Sequence, residues 1–342
     1  MIPPSAASTP PSAPLAPSGP VPSLPLRRLG DRTVSAIGLG CMPLSDGRML
    51  AERKRAMATV HAALDAGVTL LDTANVYAPA WDQVGHNEVL VAQALRSWAA
   101  SSQDRDRVLV TTKGGIVRGP GETWGRDASP DGLRRACEAS LRTLGVDVID
   151  LYQLHRLDPA RPVVDQIGAL LALQQDGLVR MVGVSNVNGA EWAVAVEVAG
   201  TPGEPDGPDA GRGLVSVQNE FSPRYRADAD VLHAAADAGV AFLPWSPLGG
   251  ASEAAAVGSR YAAVADVAQA HGVSPQRVVL AWLLAQSPSV VPIPGSTRPA
   301  TVLDSVAAAS LELTSDELAR VDATAGEPDS MFPDDMPRPP LR

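Results

Sequence analysis

Four side chains of this 342-residue chain can act together on a carbonyl group: Asp72, Tyr77, Lys113 and His155. A carboxylate beside an ammonium keeps it charged and oriented. An ammonium beside a phenol favours the phenolate and draws its pKa down from about 10 toward the working range. A tyrosine tuned in this way donates a proton to a carbonyl oxygen, and a histidine N–H orients and polarises the same oxygen. None of the four is a strong nucleophile, and no His/Cys/Asp cluster has metal-ligand spacing, so no metal is expected. The missing partner is a reductant at the carbonyl carbon, and hydride from a nicotinamide fits. Ser185, Asn186 and Gln218 supply the hydroxyl and side-chain amides that an amide-bearing ring requires. Singly, each residue has an ordinary role, as a loop cap, a core histidine or a turn residue; their conjunction carries the reading. The composition sharpens it. Of 28 basic residues only Lys54 and Lys113 are lysines, and only four tyrosines occur. An arginine, with a pKa above about 12, cannot share a proton equilibrium with a phenol.

Such residues need a frame that brings them to one place. Short apolar runs (RTVSAIGLG, VTLLDT, RVLVTTK, VIDLYQL, RMVGVSN, LVSVQN, VAFLPWS, SVVPIPGS) alternate with stretches whose apolar positions recur every three or four residues. The runs are near-continuously apolar, as buried parallel strands are, and the stretches between them read as helices. Ser129-Pro130 to Gly145 shows the start and stop signals of one such helix. Eight strand–helix units predict a single-domain α/β fold, the (β/α)8 TIM barrel, with SPQRVVLAWLLAQ as an extra helix. An open doubly wound sheet would carry G-x-G-x-x-G, and Gly38-Leu39-Gly40-Cys41-Met42-Pro43 breaks that pattern at the third glycine. In a barrel the candidate residues all end strands, so they converge on one mouth.

Composition bounds the rest. Hydrophobic content of 45 % with 19 % charged residues is that of a globular protein. No apolar run approaches the roughly 18 residues of a membrane span, so no membrane association is expected. A net charge of −10 argues against a nucleic-acid partner. Cys41 and Cys137 read as buried free thiols in a reducing compartment, which predicts a cytoplasmic protein. Prolines cluster at the margins. Residues 1–25 lack the charge and apolar core of a secretory signal and read as a disordered Pro-rich arm. The barrel is expected over 26–325, with an exposed insertion at Gly200–Gly213. A tail follows at 326–342, either disordered or folded over a pocket, as Met331 and Phe332 suggest. Trp81 and Trp124 are further candidates for walls of the mouth.

The residue set resembles the aldo-keto reductase superfamily, from about Leu26 to Ala323. Asp72-Thr73-Ala74-Asn75-Val76-Tyr77 reproduces its Asp-x4-Tyr element, Thr112-Lys113 its lysine strand, Asp150–His155 its histidine strand and Gly183–Asn186 its carboxamide-binding turn. The resemblance implies that Tyr77 is the general acid, tuned by Lys113 and Asp72, while His155 orients a small carbonyl substrate. It implies that Ser185, Asn186 and Gln218 hold the nicotinamide amide. Phe221, three residues after Gln218, would stack on the ring where many members have tyrosine. Ser246-Pro247-Leu248-Gly249-Gly250 looks like the pyrophosphate loop, with Ser246, Leu248 and Gly249 in contact. Gly295, Ser296, Thr297 and Arg298 would grip an adenosine 2′-phosphate at a helix N-terminus. NADP(H) is therefore the expected cofactor. Thr301, Asp304 and Ser305 stand where the family often has arginine or glutamine and then Glu-Asn, which thins the adenine contacts and leaves NAD(H) open. His155 in place of glutamate implies carbonyl rather than carbon–carbon double-bond reduction. Two other readings remain at this point: a non-catalytic NADP-binding regulatory barrel, and a Schiff-base lyase using Lys113. Substrate, direction and oligomeric state are not written in the sequence.

Overall fold

The computed structural model describes residues 24–204, 207, 209, 211–334 and 336–342. Residues 1–23 of the expected arm lie outside the described residues. Leu24 and Pro25 join the fold: Leu24 packs on the core, and the Pro25 carbonyl accepts from the Ala36 amide at 2.8 Å.

An antiparallel hairpin of β1 (Leu26–Leu29) and β2 (Arg32–Ser35) comes first. It takes the first half of the run expected as one barrel strand; only β3 (Leu39–Gly40) enters the main sheet. There follow β4 (Leu70–Asp72), β5 (Leu109–Gly114), the hairpin β6 (Ile116–Gly119) and β7 (Thr123–Arg126), then β8 (Ile149–Leu154), β9 (Val179–Ser185), β10 (Leu214–Gln218) and β11 (Ala241–Phe242). The parallel sheet runs β3-β4-β5-β8-β9-β10-β11. The last expected run, SVVPIPGS, closes the ring between β11 and β3 through bridges Phe242↔Val290 and Gly40↔Gly295. It forms no continuous ladder because Pro292 and Pro294 have no N–H to give. Their carbonyls accept from Gly38 and Gly40 at 2.9 and 3.1 Å. The result is a (β/α)8 barrel.

The helices are α1 (Arg53–Asp65), α2 (His86–Trp98), α3 (Ser102–Asp106), α4 (Pro130–Leu144), α5 (Val163–Gln175), α6 (Gly189–Ala199), α7 (Ala229–Asp237), α8 (Ala251–Arg260), α9 (Ala262–His271), α10 (Pro275–Gln286), α11 (Pro299–Val306) and α12 (Ser315–Asp322). As expected, Ser129 caps α4 by accepting from the Gly132 amide, Pro130 opens it, and Gly145 ends it in the left-handed region. The expected extra helix is α10. Two more, α8 and α9, precede it in an alanine-rich segment whose weak apolar contrast hides the helical period.

The two faces of the strands build two cores. Leu70, Leu109, Leu151, Met181, Val215, Leu243 and Val291 form the apolar layer inside the barrel, plugged from below by Leu29 and Val34 of the first hairpin. Alternate residues, among them Leu71, Val110, Tyr152, Val182 and Phe242, pack against the helices. Both faces being buried, the strands read as continuous apolar runs. Above the apolar layer lies a polar one. Gln153 Nε2 donates to Thr111 Oγ1 at 2.8 Å, and Ser216 Oγ reaches Gln153 Oε1 at 3.4 Å. Gly183 completes this layer because nothing larger fits. A Cβ there would stand 2.1 Å from Ser216 Oγ and 2.8 Å from the Ser216 carbonyl.

This crowding has a measurable consequence. Gly183→Ala is expected to destabilise the barrel by about 1–3 kcal/mol, the usual range for overpacking. Gly168→Ala, on the exposed side of α5 with no atom within 4 Å, is expected to gain roughly 0.5–1 kcal/mol. Urea denaturation midpoints of the two variants should move in opposite directions; movement in the same direction would contradict the layered interior.

Candidate active site

The site residues are the next inward positions along the same strands. Counting by twos from the apolar layer, Leu70 leads to Asp72, Leu109 to Lys113, Leu151 to His155 and Met181 to Ser185. Gln218 ends β10 beside Ser185, with which it is in register. The barrel thus brings together Asp72, Lys113, His155, Ser185 and Gln218 at the carboxyl ends of five neighbouring strands. Tyr77 enters from the loop after β4. That loop is pinned by the Tyr77 amide donating to the Ala74 carbonyl at 3.2 Å, and by the Gly85 and Asn87 amides donating to the Asn75 and Tyr77 carbonyls. Thr73 Oγ1 is bonded to the buried Asn87 side chain at 2.6 Å.

Lys113 is wholly buried. Its ammonium lies 2.8 Å from both Asp72 carboxylate oxygens and from the Thr73 carbonyl, and 3.4 Å from the Tyr77 hydroxyl. Burial alone would drive off its proton; Asp72 and Tyr77 outweigh that effect and hold the pKa above the ordinary lysine value. For Tyr77 the balance falls the other way from the sequence expectation. Burial is the largest influence and raises the phenol pKa, while Lys113 pulls it down without overcoming that rise. Tyr77 is therefore held as a neutral acid in this structure, with a cation in place for the anion it leaves behind. The His155 ring meets the Tyr77 ring edge-on at 5.6 Å. Burial, then Lys113, Arg156 and Arg126, push its pKa well below the ordinary value, so the imidazole is neutral. Its Nδ1 is buried and has no hydrogen-bond partner among the described residues.

The residues expected to hold a nicotinamide amide are joined to one another. Ser185 Oγ donates to the Gln218 carbonyl at 2.6 Å, and Asn186 Nδ2 to the His155 carbonyl at 2.9 Å. Gln218 Nε2 is turned to Asp72 Oδ1 at 2.9 Å. Asn186 takes φ 60°, a left-handed conformation that aims its side chain across the mouth. Phe221 does not join this group. Its ring is buried against Trp282 of α10, stacked at 5.9 Å, and edge-on to Phe242, on the helix side of the barrel wall. It stands an odd number of residues beyond the inward-facing Gln218, and at that offset the side chain turns outward. The aromatic face at the mouth is Trp245, two residues beyond the inward Leu243, with its indole N–H donating to Asn186 Oδ1 at 3.1 Å. The same count by twos identifies it in the sequence.

Beyond Trp245, Ser246 has φ 45° and Gly249 and Gly250 have φ 75° and 89°, so the loop Ser246–Gly250 turns its backbone in ways most side chains forbid. Leu248 packs on the core beside it. Gly295 and Ser296 adjoin β3 at the other side of the mouth. Ser296 Oγ accepts from the Arg298 amide at 3.2 Å, Thr297 is partly exposed, and Arg298 is exposed at the start of α11. Asp304 is committed to Arg277, at 2.6 Å, and to Ser274, so its charge is matched within the fold. Small residues, strained backbone, a helix start and an exposed arginine fit a phosphate-bearing dinucleotide along this rim.

The described residues of the tail lie over the mouth. Ser330 and the Met331 amide bond to buried Glu220 at 2.5 and 3.0 Å, and Phe332 meets Trp245 at 5.9 Å. Arg338 binds Glu191, and the Pro340 carbonyl accepts from the Val163 amide. Trp81 stands exposed on the segment between β4 and α2, and Trp124 stands exposed in β7, beneath the Arg118 guanidinium. A cavity of about 450 Å³ opens at the opposite end of the barrel among Arg105, Asp150 and Arg180 and touches none of these residues. Among the described residues no helix is long and apolar enough to cross a membrane.

Comparison with known proteins agrees with the barrel fold. The family model described as the aldo/keto reductase family matches residues 36–325. Pyridoxine 4-dehydrogenase of Escherichia coli is 31 % identical over 309 residues, covering 87 % of this chain and 98 % of the relative. An uncharacterized oxidoreductase of Schizosaccharomyces pombe is 32 % identical, covering 86 % and 88 %. The crystal structure of an aldo-keto reductase from Klebsiella pneumoniae in complex with NADPH superposes with a TM-score of 0.69 at 28 % identity, covering 87 % of this chain and 93 % of that one. Fold and relatives agree: the chain belongs to the aldo/keto reductase family of oxidoreductases.

Proposed function

We propose that the chain is an NADP(H)-dependent reductase of aldehydes and ketones, small carbonyl compounds or sugars, acting reversibly with Tyr77 as the general acid and base. The observation that carries this reading is the placement of the Lys113 ammonium between Asp72 and the Tyr77 hydroxyl. NADP(H), when bound, supplies the hydride that adds to the carbonyl carbon. The neutral Tyr77 gives its proton to the carbonyl oxygen, and Lys113 stabilises the phenolate that remains. His155, neutral and next to Tyr77, donates an N–H that orients the same oxygen. Ser185, Asn186 and Gln218 would hold the carboxamide, and Trp245 would offer the flat face first expected of Phe221. Ser246, Leu248 and Gly249 would line the pyrophosphate, and Gly295, Ser296, Thr297 and Arg298 the 2′-phosphate. That Asp304 is already paired with Arg277 supports the phosphorylated cofactor over NAD(H), since its charge is not turned to repel a phosphate.

A Schiff-base lyase needs a neutral amine at Lys113. Two carboxylate oxygens and a carbonyl around the ammonium oppose that state. A purely regulatory barrel gives no reason for Tyr77 to meet Lys113 at the mouth. The two buried free thiols, Cys41 and Cys137, both pushed above the ordinary cysteine pKa chiefly by burial, support a cytoplasmic setting.

Three outcomes test these roles. Tyr77→Phe should lower turnover of an aromatic aldehyde by about 10²–10⁴-fold, the usual worth of a general acid. NADPH affinity, read by fluorescence quenching, should stay within about twofold; lost affinity with preserved turnover would contradict the assignment. Because burial lifts the Tyr77 pKa, reduction should be flat through neutral pH, whereas alcohol oxidation, which needs the phenolate, should rise steadily with pH. Identical profiles in the two directions would remove Tyr77 from proton transfer. Arg298→Ala should raise the Kd for NADPH about tenfold and leave that for NADH nearly unchanged. Equal effects on both cofactors would take Arg298 off the 2′-phosphate.

A further inference from the structure

Two arginines that the reaction does not use flank the neutral histidine. Arg156 follows His155 in sequence, and Arg126 ends β7, on the hairpin that rises from the lysine strand. Both are largely withdrawn from solvent, with side chains 13 % and 10 % exposed. Between them lies one carboxylate, delivered by the tail. Asp334 Oδ1 is 3.1 Å from Arg126 Nη2, and Asp334 Oδ2 is 3.1 Å from Arg156 Nη1. Each oxygen thus takes one guanidinium. Arg126 Nε, also buried, has no partner among the described residues.

Two neighbouring acids act on the pair through space without touching it: Asp158, which accepts from the Ala128 and Ala160 amides at 3.3 and 3.0 Å, on Arg126, and Glu220, which holds Ser330, Met331 and Arg224, on Arg156. Asp334 is the carboxylate that contacts both guanidinium groups, and a position between two buried guanidinium groups suits a carboxylate rather than a neutral group. With Asp334 and Phe332 in place, a space of about 60 Å³ remains under the tail, bordered by Arg156, Asn186, Glu220 and Trp245.

We propose that Arg126 and Arg156 form a carboxylate subsite beside the reacting carbonyl, which Asp334 of the chain's own tail occupies as a stand-in. The preferred substrates are then carbonyl compounds that carry a carboxylate, which displaces Asp334 on binding. This assignment of substrate class rests on the reductase reading above. Asp334 is one of several contacts that hold the tail. Ser330 and Met331 on one side, and Arg338 and Pro340 on the other, fasten it away from the arginines, and the Phe332 carbonyl accepts from Arg156 Nη2 at 2.6 Å. Asp334→Asn removes the competing charge and leaves these other fastenings in place.

The test compares short ω-oxo acids with their methyl esters, by NADPH-dependent turnover and by isothermal titration, in the full chain and in Asp334→Asn, Arg126→Gln and Arg156→Gln. The ratio of kcat/KM for acid over ester should rise about tenfold in Asp334→Asn and fall by at least as much in either arginine variant, the scale of one charge-assisted contact. The Kd of the acid should move in parallel. Active enzyme whose ratio and acid affinity are unchanged in all three variants would overturn the subsite. A protein that turns over neither compound, yet binds the acid more tightly after Asp334→Asn, would support the subsite while sinking the reductase reading. An inactive protein with unaltered acid binding would remove both.

Discussion

A lysine ammonium with no exposure to water is costly unless every one of its protons is met, and the barrel of this protein is arranged to meet them. Asp72 receives Lys113 through both carboxylate oxygens, Thr73 through its carbonyl and Tyr77 through its hydroxyl. Each of these comes from one short segment at the end of β4, held in turn by Asn87 at the start of α2. Removing Asp72 would leave an uncompensated buried cation, a loss of about 3–5 kcal/mol. Gln218, bonded to the same carboxylate, ties the pair to the far side of the ring. The Tyr77 phenol, the Lys113 cation behind it and the Gln218 side-chain amide are one connected network.

That network stands on a graded interior. An apolar layer seals the lower barrel, a small hydrogen-bonded layer of Thr111, Gln153 and Ser216 lies above it, and the ionic layer opens to the mouth. Most polar groups are thus brought into this part of the interior where a partner waits for them. His155, beside Tyr77, is among the described residues that keep an unpartnered buried atom, its Nδ1, and its ring is kept neutral by burial and by three nearby cations. A group left unsatisfied beside the Tyr77 hydroxyl is where a substrate oxygen has something to gain.

Much of this was legible in the sequence, because strand parity and rare residues both carry it. Lys113, one of two lysines, marked its own strand end, and Asp72, His155 and Ser185 follow from the inward count. Parity applied to β11 would also have given Trp245; assigning the ring contact to Phe221 followed a family habit and lost to the buried stack with Trp282. The eighth strand's place in the ring is legible in SVVPIPGS, but alternating prolines reduce it to bridges. The helices α8 and α9 escaped because alanine gives little contrast between faces. The carboxylate between Arg126 and Arg156 escaped for a different reason: its members lie on a hairpin, a strand end and the tail, and no local pattern joins residues 126, 156 and 334. Nor did the sequence reveal that burial outweighs Lys113 at the Tyr77 phenol.

The scarcity of lysine makes the central interaction directly observable. With only Lys54 and Lys113 in the chain, 15N labelling of lysine side chains yields two resonances, and substitution of the exposed Lys54 by arginine identifies the other. A Lys113 signal that remains an ammonium beyond the ordinary lysine range, and loses that protection when Asp72 is replaced by asparagine, is the expected result. A Lys113 signal that is already a neutral amine at neutral pH would contradict the account, since nothing would then be charged behind Tyr77.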